Sequence, residues 1–302
     1  MISIIIVTFN GERFIKELLN SIKSQTYQVF EIIIIDNDSK DKTIRIIEEF
    51  KDVKLIKSFE NIGYTGALNI GITESKGEYI LILNQDTKLD RDFLKNGLKG
   101  FKDKKTGFVS GKILRFDEKT IDSTGQYLSL ALYPKERGYN KSDNKNNYKE
   151  GYIFSVCGAI AFYKREMLEE LKIGNEIFDN DFFMFFDDVD ICWRANNKGW
   201  KGYYIPEAVG YHYRSGTIKS QKKIFLSLKR SPFIQYHIIK NRYLTLIKNV
   251  KPISLLLHLP FILLRDIFYF LIILFYPSVL IKLIKNYKLF IKAFKKRKII
   301  WK

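Results

Sequence analysis

Over the first 110 residues, short apolar runs rich in β-branched residues alternate with stretches of helical periodicity. "SIIIVT" (3–8), "EIIIID" (31–36), "VKLIKS" (53–58) and "YILILN" (79–84) read as strands. Between them, "ERFIKELLNSIKSQ" (12–25) sets Ile15, Leu18, Leu19 and Ile22 on one helical face. "KTIRIIEEF" (42–50) and "TGALNIGITES" (65–75) are also helical in pattern. Strands separated by helices require crossover connections, so the pattern predicts a parallel sheet covered on both faces. In such open sheets ligands bind beyond the carboxyl ends of the strands.

Those ends are polar. Strand one runs into "VTFNG", strand two into "DNDSKD" and the fourth into "NQDTKLD". Each loop alone is an ordinary turn or helix cap, since Asn, Asp and Ser favour both. Three of them at one sheet edge predict a pocket. No G-x-G-x-x-G follows the first strand, and G-x-x-x-x-G-K-[ST] occurs nowhere, which argues against a dinucleotide fold or a P-loop. Carboxylates presented to a phosphorylated ligand need a divalent cation between them, because like charges repel.

"FFMFFDDVDICWRANNKGWKGYYIP" (182–206) carries a second acidic cluster, Asp187, Asp188 and Asp190, just after an aromatic run. Acids in a first helical turn are favoured by the helix dipole, and Asp190 with Arg194 has the spacing of an i, i+4 pair. Apolar surroundings also raise a carboxylate's pKa toward that of a general base, and the aromatic run favours this reading. His212, one of three histidines, follows a strand-like stretch between two tyrosines and would complete an oxygen-rich site suited to Mn²⁺ or Mg²⁺.

Taken in order, "SIIIVTFNG", "EIIIIDNDSKD", "NIGYTGALNIGI", "LILNQDTKLD", "VCGAIAFYKRE", "FFMFFDDVDICWRANNKGW" and "VGYHYRSGT" resemble the family-2 inverting glycosyltransferases with a GT-A fold, over roughly residues 1–215. The subgroup they look most like is the bacterial rhamnosyltransferase-like enzymes of surface polysaccharide synthesis. The resemblance implies an α/β GT-A fold, Rossmann-like, with a mostly parallel sheet flanked by helices. It implies a nucleotide-sugar donor, dTDP-rhamnose or a UDP-sugar. Asp86 of "NQD" stands in the family's D-x-D motif and would bind a divalent cation, Mn²⁺ or Mg²⁺, with His212 as a further ligand. Asn84 replaces the first acid of that motif and can still hydrogen-bond a ribose or a metal-bound water. Val7 and Phe9 would line the base pocket, Asp36 and Asn37 contact base or ribose, and Gly63 and Asn69 lie near the donor. Asp188 would be the general base. Cys157, Gly158 and Ala159, with Asp187 and Asp190, would form the acceptor side. The implied reaction is a single in-line displacement with inversion.

Charge divides the chain in two. The net charge is +18 over 302 residues, yet the last 84 hold 19 Lys or Arg and a single acid, Asp266. The first 218 balance, with 32 basic and 32 acidic residues. A boundary is therefore expected near 215–223, separating a catalytic domain (1–218) from a basic helical region (219–302). Within the latter, 253–281 is strongly apolar but interrupted by Pro260, Arg265, Asp266 and Pro277. Its longest uncharged end falls short of the ~20 residues of a spanning helix, which predicts a dipping hairpin or an interfacial helix pair. "VLIKLIKNYKLFIKAFKKRK" (279–298) puts Leu280, Leu283, Ile284, Tyr287, Phe290, Ile291 and Phe294 on one helical face and Lys282, Lys285, Lys288, Lys292, Lys295 and Lys296 on the other, the pattern of an in-plane helix on an anionic membrane. The expected surface for membrane contact is thus 253–298. Nucleic acid is disfavoured, because tracking phosphates needs no aliphatic stripe. Two cysteines without C-x-x-C spacing argue against a disulfide framework and fit a reducing compartment. "MISIIIVTFN" lacks a basic leader and behaves as a first strand. The combined expectation is an enzyme at the cytoplasmic face of the membrane, with a saccharide or lipid-linked acceptor, and a homo-oligomer is left open. A membrane scaffold that retains the fold without turnover is the competing reading. The polar insertion 133–151 is expected to be an acceptor lid.

Overall fold

The structure is a computed structural model and describes residues 1–144, 148–214 and 230–301. The expected boundary at 215–223 lies outside the described residues. The predicted alternation is present as β1 (Ile2–Thr8), α1 (Ile15–Lys23), β2 (Phe30–Asp36), α2 (Thr43–Glu48), β3 (Val53–Lys57), α3 (Gly63–Thr73) and β4 (Tyr79–Asn84). These strands pair in parallel in the order β3-β2-β1-β4. Side chains alternate across the sheet, as strand geometry requires. Ile4, Ile6, Ile32, Ile34, Leu81 and Leu83 face Leu18, Leu19 and Ile22 of α1. Ile5, Val7, Ile33, Ile35, Ile80 and Ile82 face Ala67, Leu68 and Ile72 of α3. Burial on both faces explains why these strands read as continuous apolar runs.

Beyond β4 the sheet continues through elements whose pairings span long sequence distances. They are β5 (Thr87–Leu89), α4 (Phe93–Leu98), β6 (Thr106–Arg115), β7 (Ile121–Ser123), β8 (Gln126–Leu128), β9 (Pro134–Glu136), β10 (Gly151–Ile153), β11 (Ile160–Lys164), α5 (Arg165–Glu170), α6 (Asp187–Asn197) and β12 (Lys201–His212). β11 runs antiparallel between β4 and β6, and β12 lies parallel to β6. β12 also pairs with the short β5, which sets His212 opposite Thr87 and hence beside Asp86.

The basic region forms α7 (Pro232–Asn249), α8 (Pro252–Phe275), α9 (Pro277–Lys285) and α10 (Tyr287–Ile300). It shares a core with the first part. Tyr236, Ile239, Leu244, Tyr269, Ile272, Val279 and Ala293 cluster with Phe182 and Phe186. Buried charge joins the two parts as well. Lys248, fully buried, lies 2.6 Å from Asp179 and 2.9 Å from Asp190. Lys296 reaches Asp179, Asp181 and Glu176.

Two expectations about this region are corrected. Residues 253–281 do fall in two helices, but the break comes only at Pro277, so that residues 252–275 form one uninterrupted 24-residue helix. Pro260 is accommodated within it, and the charges that seemed to break it point inward. Asp266 pairs with the buried Arg242 at 2.6 Å, and the Arg265 guanidinium sits 4.0 Å from the Tyr133 ring centre. By length and composition α8 is sufficient to cross a membrane. Residues 279–298 are two helices that break at Asn286, and Lys296 is buried rather than solvated, because acids at 176–181 draw it in. Of the apolar stripe, Leu280, Ile284, Tyr287, Ile291 and Phe294 face outward, whereas Leu283 and Phe290 pack against the shared core.

Candidate active site

Sheet register brings the three polar strand ends level, with Thr8 opposite Asp36 and Val7 opposite Asn84. Beyond them opens a cleft of about 810 Å³, lined by Val7, Phe9, Asn37, Asn61, Tyr64, Asn84, Gln85, Asp86, His212 and Arg214 and closed on one side by Phe183, Met184, Phe185 and Phe233. Gln85 fastens the edge: its Oε1 accepts from Thr8 Oγ1 (2.6 Å) and Phe9 N (2.9 Å). Asn84 Oδ1 accepts from the Tyr64 hydroxyl at 2.9 Å. Asn37 ties the next loop down, donating to Asn61 Oδ1 and accepting from Ile62 N, both at 3.0 Å. Asp36 is buried below the lining; its Oδ2 accepts from Ser39 N, and its Oδ1 is buried without a donor among the described residues.

Asp86 and His212 converge, with Oδ1 and Nε2 3.4 Å apart. On the other side of the imidazole, Nδ1 lies 3.0 Å from Asp122, a fully buried carboxylate that also holds Arg214. Burial alone would lower the His212 pKa, but hydrogen bonds to Asp122 and Asp86 raise it to about 8. Burial would raise Asp122, and the His212 hydrogen bond with the Arg214 charge outweighs it, so that carboxyl stays below its usual range. A carboxylate behind a histidine fixes its tautomer and orientation, the usual arrangement for a metal-binding imidazole.

The second acidic cluster opens α6. Asp188 takes three N–H donors: Gly158 N (2.9 Å) and Gln126 Nε2 (3.1 Å) on Oδ2, and Val189 N (2.8 Å) on Oδ1. A side chain at Gly158 would crowd this contact, since an added Cβ would sit 3.2 Å from Asp188 Oδ2. Burial raises the Asp188 pKa, and the three hydrogen bonds oppose that only in part. Burial and the neighbouring Asp188 charge push Asp187 up to about 8. Asp188 lines a second cavity of about 420 Å³, together with Gln126, Tyr133, Glu136 and Arg230. Gln126 bridges Asp188 to Glu136, whose pKa burial raises to about 7. Met184, Phe185 and Arg214 line both this cavity and the larger cleft, so the two adjoin.

The wall between them is strained. Phe183, Phe185 and Phe186 hold φ of 66°, 68° and 67°, left-handed conformations that cost on the order of 1–3 kcal/mol each. Helix α7 holds them there. The Asn241 amide nitrogen lies 2.6–3.0 Å from the carbonyls of Phe182, Met184 and Phe185, and Lys240 donates to the Asp181 carbonyl. On the sheet side, Tyr64 N and Thr65 N donate to the Phe183 carbonyl. Gly63 (φ +80°) allows the Phe183 ring to approach where a Cβ would lie 2.5 Å away.

The remaining sequence-derived candidates fall outside the two cavities. Gly63 and Asn69 brace the 177–183 segment, Asn69 through hydrogen bonds with Ile177 N, Phe178 N and the Phe178 carbonyl. Asp190 is corrected: it binds Arg194 (3.0 Å), Lys248 (2.9 Å) and Asn249 (2.7 Å) in the interior, because α6 turns it away from Asp188. Cys157 and Ala159 are buried, and of "CGA" it is the Gly158 amide that meets Asp188. Asp187 is buried and lines neither cavity. Asp122, Gln126, Glu136, Tyr64, Gln85 and Arg214 were missed. Tyr64, Gln85 and Arg214 lie inside the quoted motifs, whereas Asp122, Gln126 and Glu136 carried no such signal.

The model of glycosyl transferase family 2 matches residues 3–172, more than half of the chain. The chain belongs to glycosyl transferase family 2. The family match ends before Asp188 and His212, so the geometry above extends it. Among relatives, a Methanococcus voltae dolichyl N-acetyl-alpha-D-glucosaminyl phosphate 3-beta-D-2,3-diacetamido-2,3-dideoxy-beta-D-glucuronosyltransferase is 29% identical over 233 residues, 72% of this chain and 68% of that one. A poly-beta-1,6-N-acetyl-D-glucosamine synthase of Staphylococcus epidermidis is 28% identical over 215 residues, 69% of this chain; the match spans about half (48%) of that longer protein. Among solved structures, a Pyrobaculum calidifontis mannosyltransferase in complex with GDP-Man and Mn²⁺ superposes with a TM-score of 0.58 at 19% identity, covering 95% of this chain and 75% of that one. Together with the family match, that likeness shows a GT-A-type fold in a sugar-transferring enzyme.

Proposed function

We propose that this family-2 enzyme transfers a sugar, with inversion, from a nucleotide sugar to a saccharide or lipid-linked acceptor at the cytoplasmic face of a membrane. The observation that carries the proposal is the meeting of two cavities, one holding Asp86 and His212, the other the raised carboxylate of Asp188. The neighbour with GDP-Man and Mn²⁺ supports a donor in the larger cleft.

Val7 and Phe9 flank the space for the base, and Asn37 on the lining offers its amide to the base or a ribose hydroxyl, while Asp36, buried beneath, holds the loop through Ser39 N. Asp86 and His212 would hold a divalent cation, Mn²⁺ or Mg²⁺. Their donor atoms converge, and Asp122 presets the imidazole. Among the described residues no group of three or more His, Cys, Asp or Glu is placed to hold a metal ion by itself, so diphosphate oxygens and water would have to complete its coordination. When bound, such an ion neutralises the charge of the leaving nucleoside diphosphate. Asp188 accepts the proton of the acceptor hydroxyl as that oxygen forms its bond to the anomeric carbon and the bond to the diphosphate breaks. Gly158 N and Gln126 hold the carboxylate in place. The outward apolar side of α8 and the stripe on α9 and α10 support docking on an anionic membrane surface.

The test is incubation of the full chain with UDP-, dTDP- and GDP-sugars, with and without Mn²⁺. Metal-stimulated release of a nucleoside diphosphate from one of them is expected. Nucleotide binding without turnover of any sugar would leave a scaffold as the better reading.

A further inference from the structure

A third cavity, of about 730 Å³, lies between the β8–β9 turn and α8. His258 on α8 lies 2.8 Å from the Leu130 carbonyl, and Arg242 reaches the Ala131 carbonyl, so the turn and the helix form fixed walls. The floor is apolar, with Phe261, Leu264 and Phe268 of α8. Three cations border it: Lys135, Arg230 and Arg265. Three other cations near the site are each bound to an acid: Arg214 to Asp122, Arg242 to Asp266 and Lys248 to Asp179. Among the described residues no carboxylate pairs with any of these three, and Arg265 Nε is buried without an acceptor. Cations gathered over an apolar floor without a protein counter-charge suit an anion attached to a hydrocarbon chain.

The cavity is continuous with the site described above. Tyr133 and Arg230 line both it and the cavity that holds Asp188. At its other end, Leu264 also lines an open groove on the outer side of α8 with Leu263, Ile267, Phe270 and Asp266, whose charge is held by Arg242. A path therefore leads from the outward apolar side of α8, past three cations without a carboxylate partner among the described residues, to the carboxylate that would accept the proton.

The geometry points to an acceptor built as a sugar on a lipid phosphate or diphosphate. Its hydrocarbon chain lies along α8, its phosphate sits among Lys135, Arg230 and Arg265, and its sugar hydroxyl reaches Asp188. This rests on the sugar-transfer reading and narrows its acceptor to a lipid-phosphate class. A free polysaccharide end would use neither the cations nor the apolar floor.

The experiment is calorimetric titration of the full chain in neutral detergent with farnesyl phosphate, farnesol and inorganic phosphate, and separately with UDP, TDP and GDP. Farnesyl phosphate is expected to bind about tenfold or more tightly than either fragment, since both parts of the cavity engage only the intact probe. Lys135→Gln with Arg230→Gln should remove that advantage while leaving farnesol and nucleotide binding unchanged. Among the described residues neither side chain has an internal hydrogen-bond or ion-pair partner, so the variant is expected to melt as the wild type does. Farnesyl phosphate binding no better than farnesol, or unaffected in the double variant, would overturn the inference. If the nucleotides bind while the lipid phosphate is not distinguished, this inference alone fails. If no nucleotide binds the wild type, the sugar-transfer reading fails with it.

Discussion

Replacing Asp188 by Asn tests the centre of the mechanism. The amide keeps the side chain's shape and removes its capacity to take a proton, and loss of a general base costs about 10²–10⁴ in rate. The substitution is not silent in the fold. Asp188 accepts two N–H groups on Oδ2 and one on Oδ1, whereas an amide has only one oxygen. The amide is expected to keep its oxygen toward Gly158 and Gln126 and turn its NH₂ toward Val189 N, leaving that donor unsatisfied. One lost buried hydrogen bond costs about 1–3 kcal/mol, offset in part because a buried charge beside Asp187 is gone. The expected variant is therefore folded, somewhat less stable, and slower by at least two orders of magnitude. Its nucleoside diphosphate affinity is unchanged, since Asp188 lines the smaller cavity and not the nucleotide cleft. Initial rates at saturating donor, a thermal melt and a nucleotide titration separate these terms. Wild-type turnover in the variant would refute the assignment of Asp188 as the base.

The wild-type rate should fall with acid through a limb above the usual carboxylate range, near pH 4, because burial raises the Asp188 pKa and only the ionised form accepts a proton; a pH–rate profile with its limb at the ordinary value would contradict this. Asp86→Ala should weaken binding of a nucleoside diphosphate in Mn²⁺ and leave the bare nucleoside unaffected; equal losses for both would place Asp86 in the fold instead. Lys248→Met leaves Asp179 and Asp190 without their shared buried cation and should cost about 3–5 kcal/mol in urea unfolding. Burial would raise the Asp179 pKa, but Lys248 and Lys296 hold it well below the ordinary carboxyl value, so its contribution is present at neutral pH and disappears as pH falls below about 4. Acid unfolding followed by tryptophan fluorescence should show that loss, and Asp179→Asn should flatten it.

The parallel half of the sheet was legible because each strand is buried on both faces and each helix on one, so period and composition agree. The strand ends were legible for the same reason, since polar residues that follow buried strands can only emerge at one edge. What could not be read is what folding alone brings together. Gln126 meets Asp188 across 62 residues and Asp122 meets His212 across 90, and neither "TIDSTG" nor "GQYLS" marks itself as part of a site. Asp190 sits two residues from Asp188, yet the helical turn sends it into the interior. In α8 the same limit worked the other way. Arg265 and Asp266 look like interruptions until Tyr133 and Arg242 are placed opposite them.

The integration of α7 with the strained 183–186 loop has a practical consequence for making a soluble form of this protein. Cutting the chain before α7 would remove the Asn241 and Lys240 contacts that hold three left-handed phenylalanines, along with the cation between Asp179 and Asp190. A truncated enzyme is thus a poor starting point for crystallisation or assay. The better route keeps every helix and rewrites one side of α8. Leu256, Leu257 and Leu274 are well exposed and can be exchanged for polar residues, while Ile262, Tyr269 and Ile272 stay as they are.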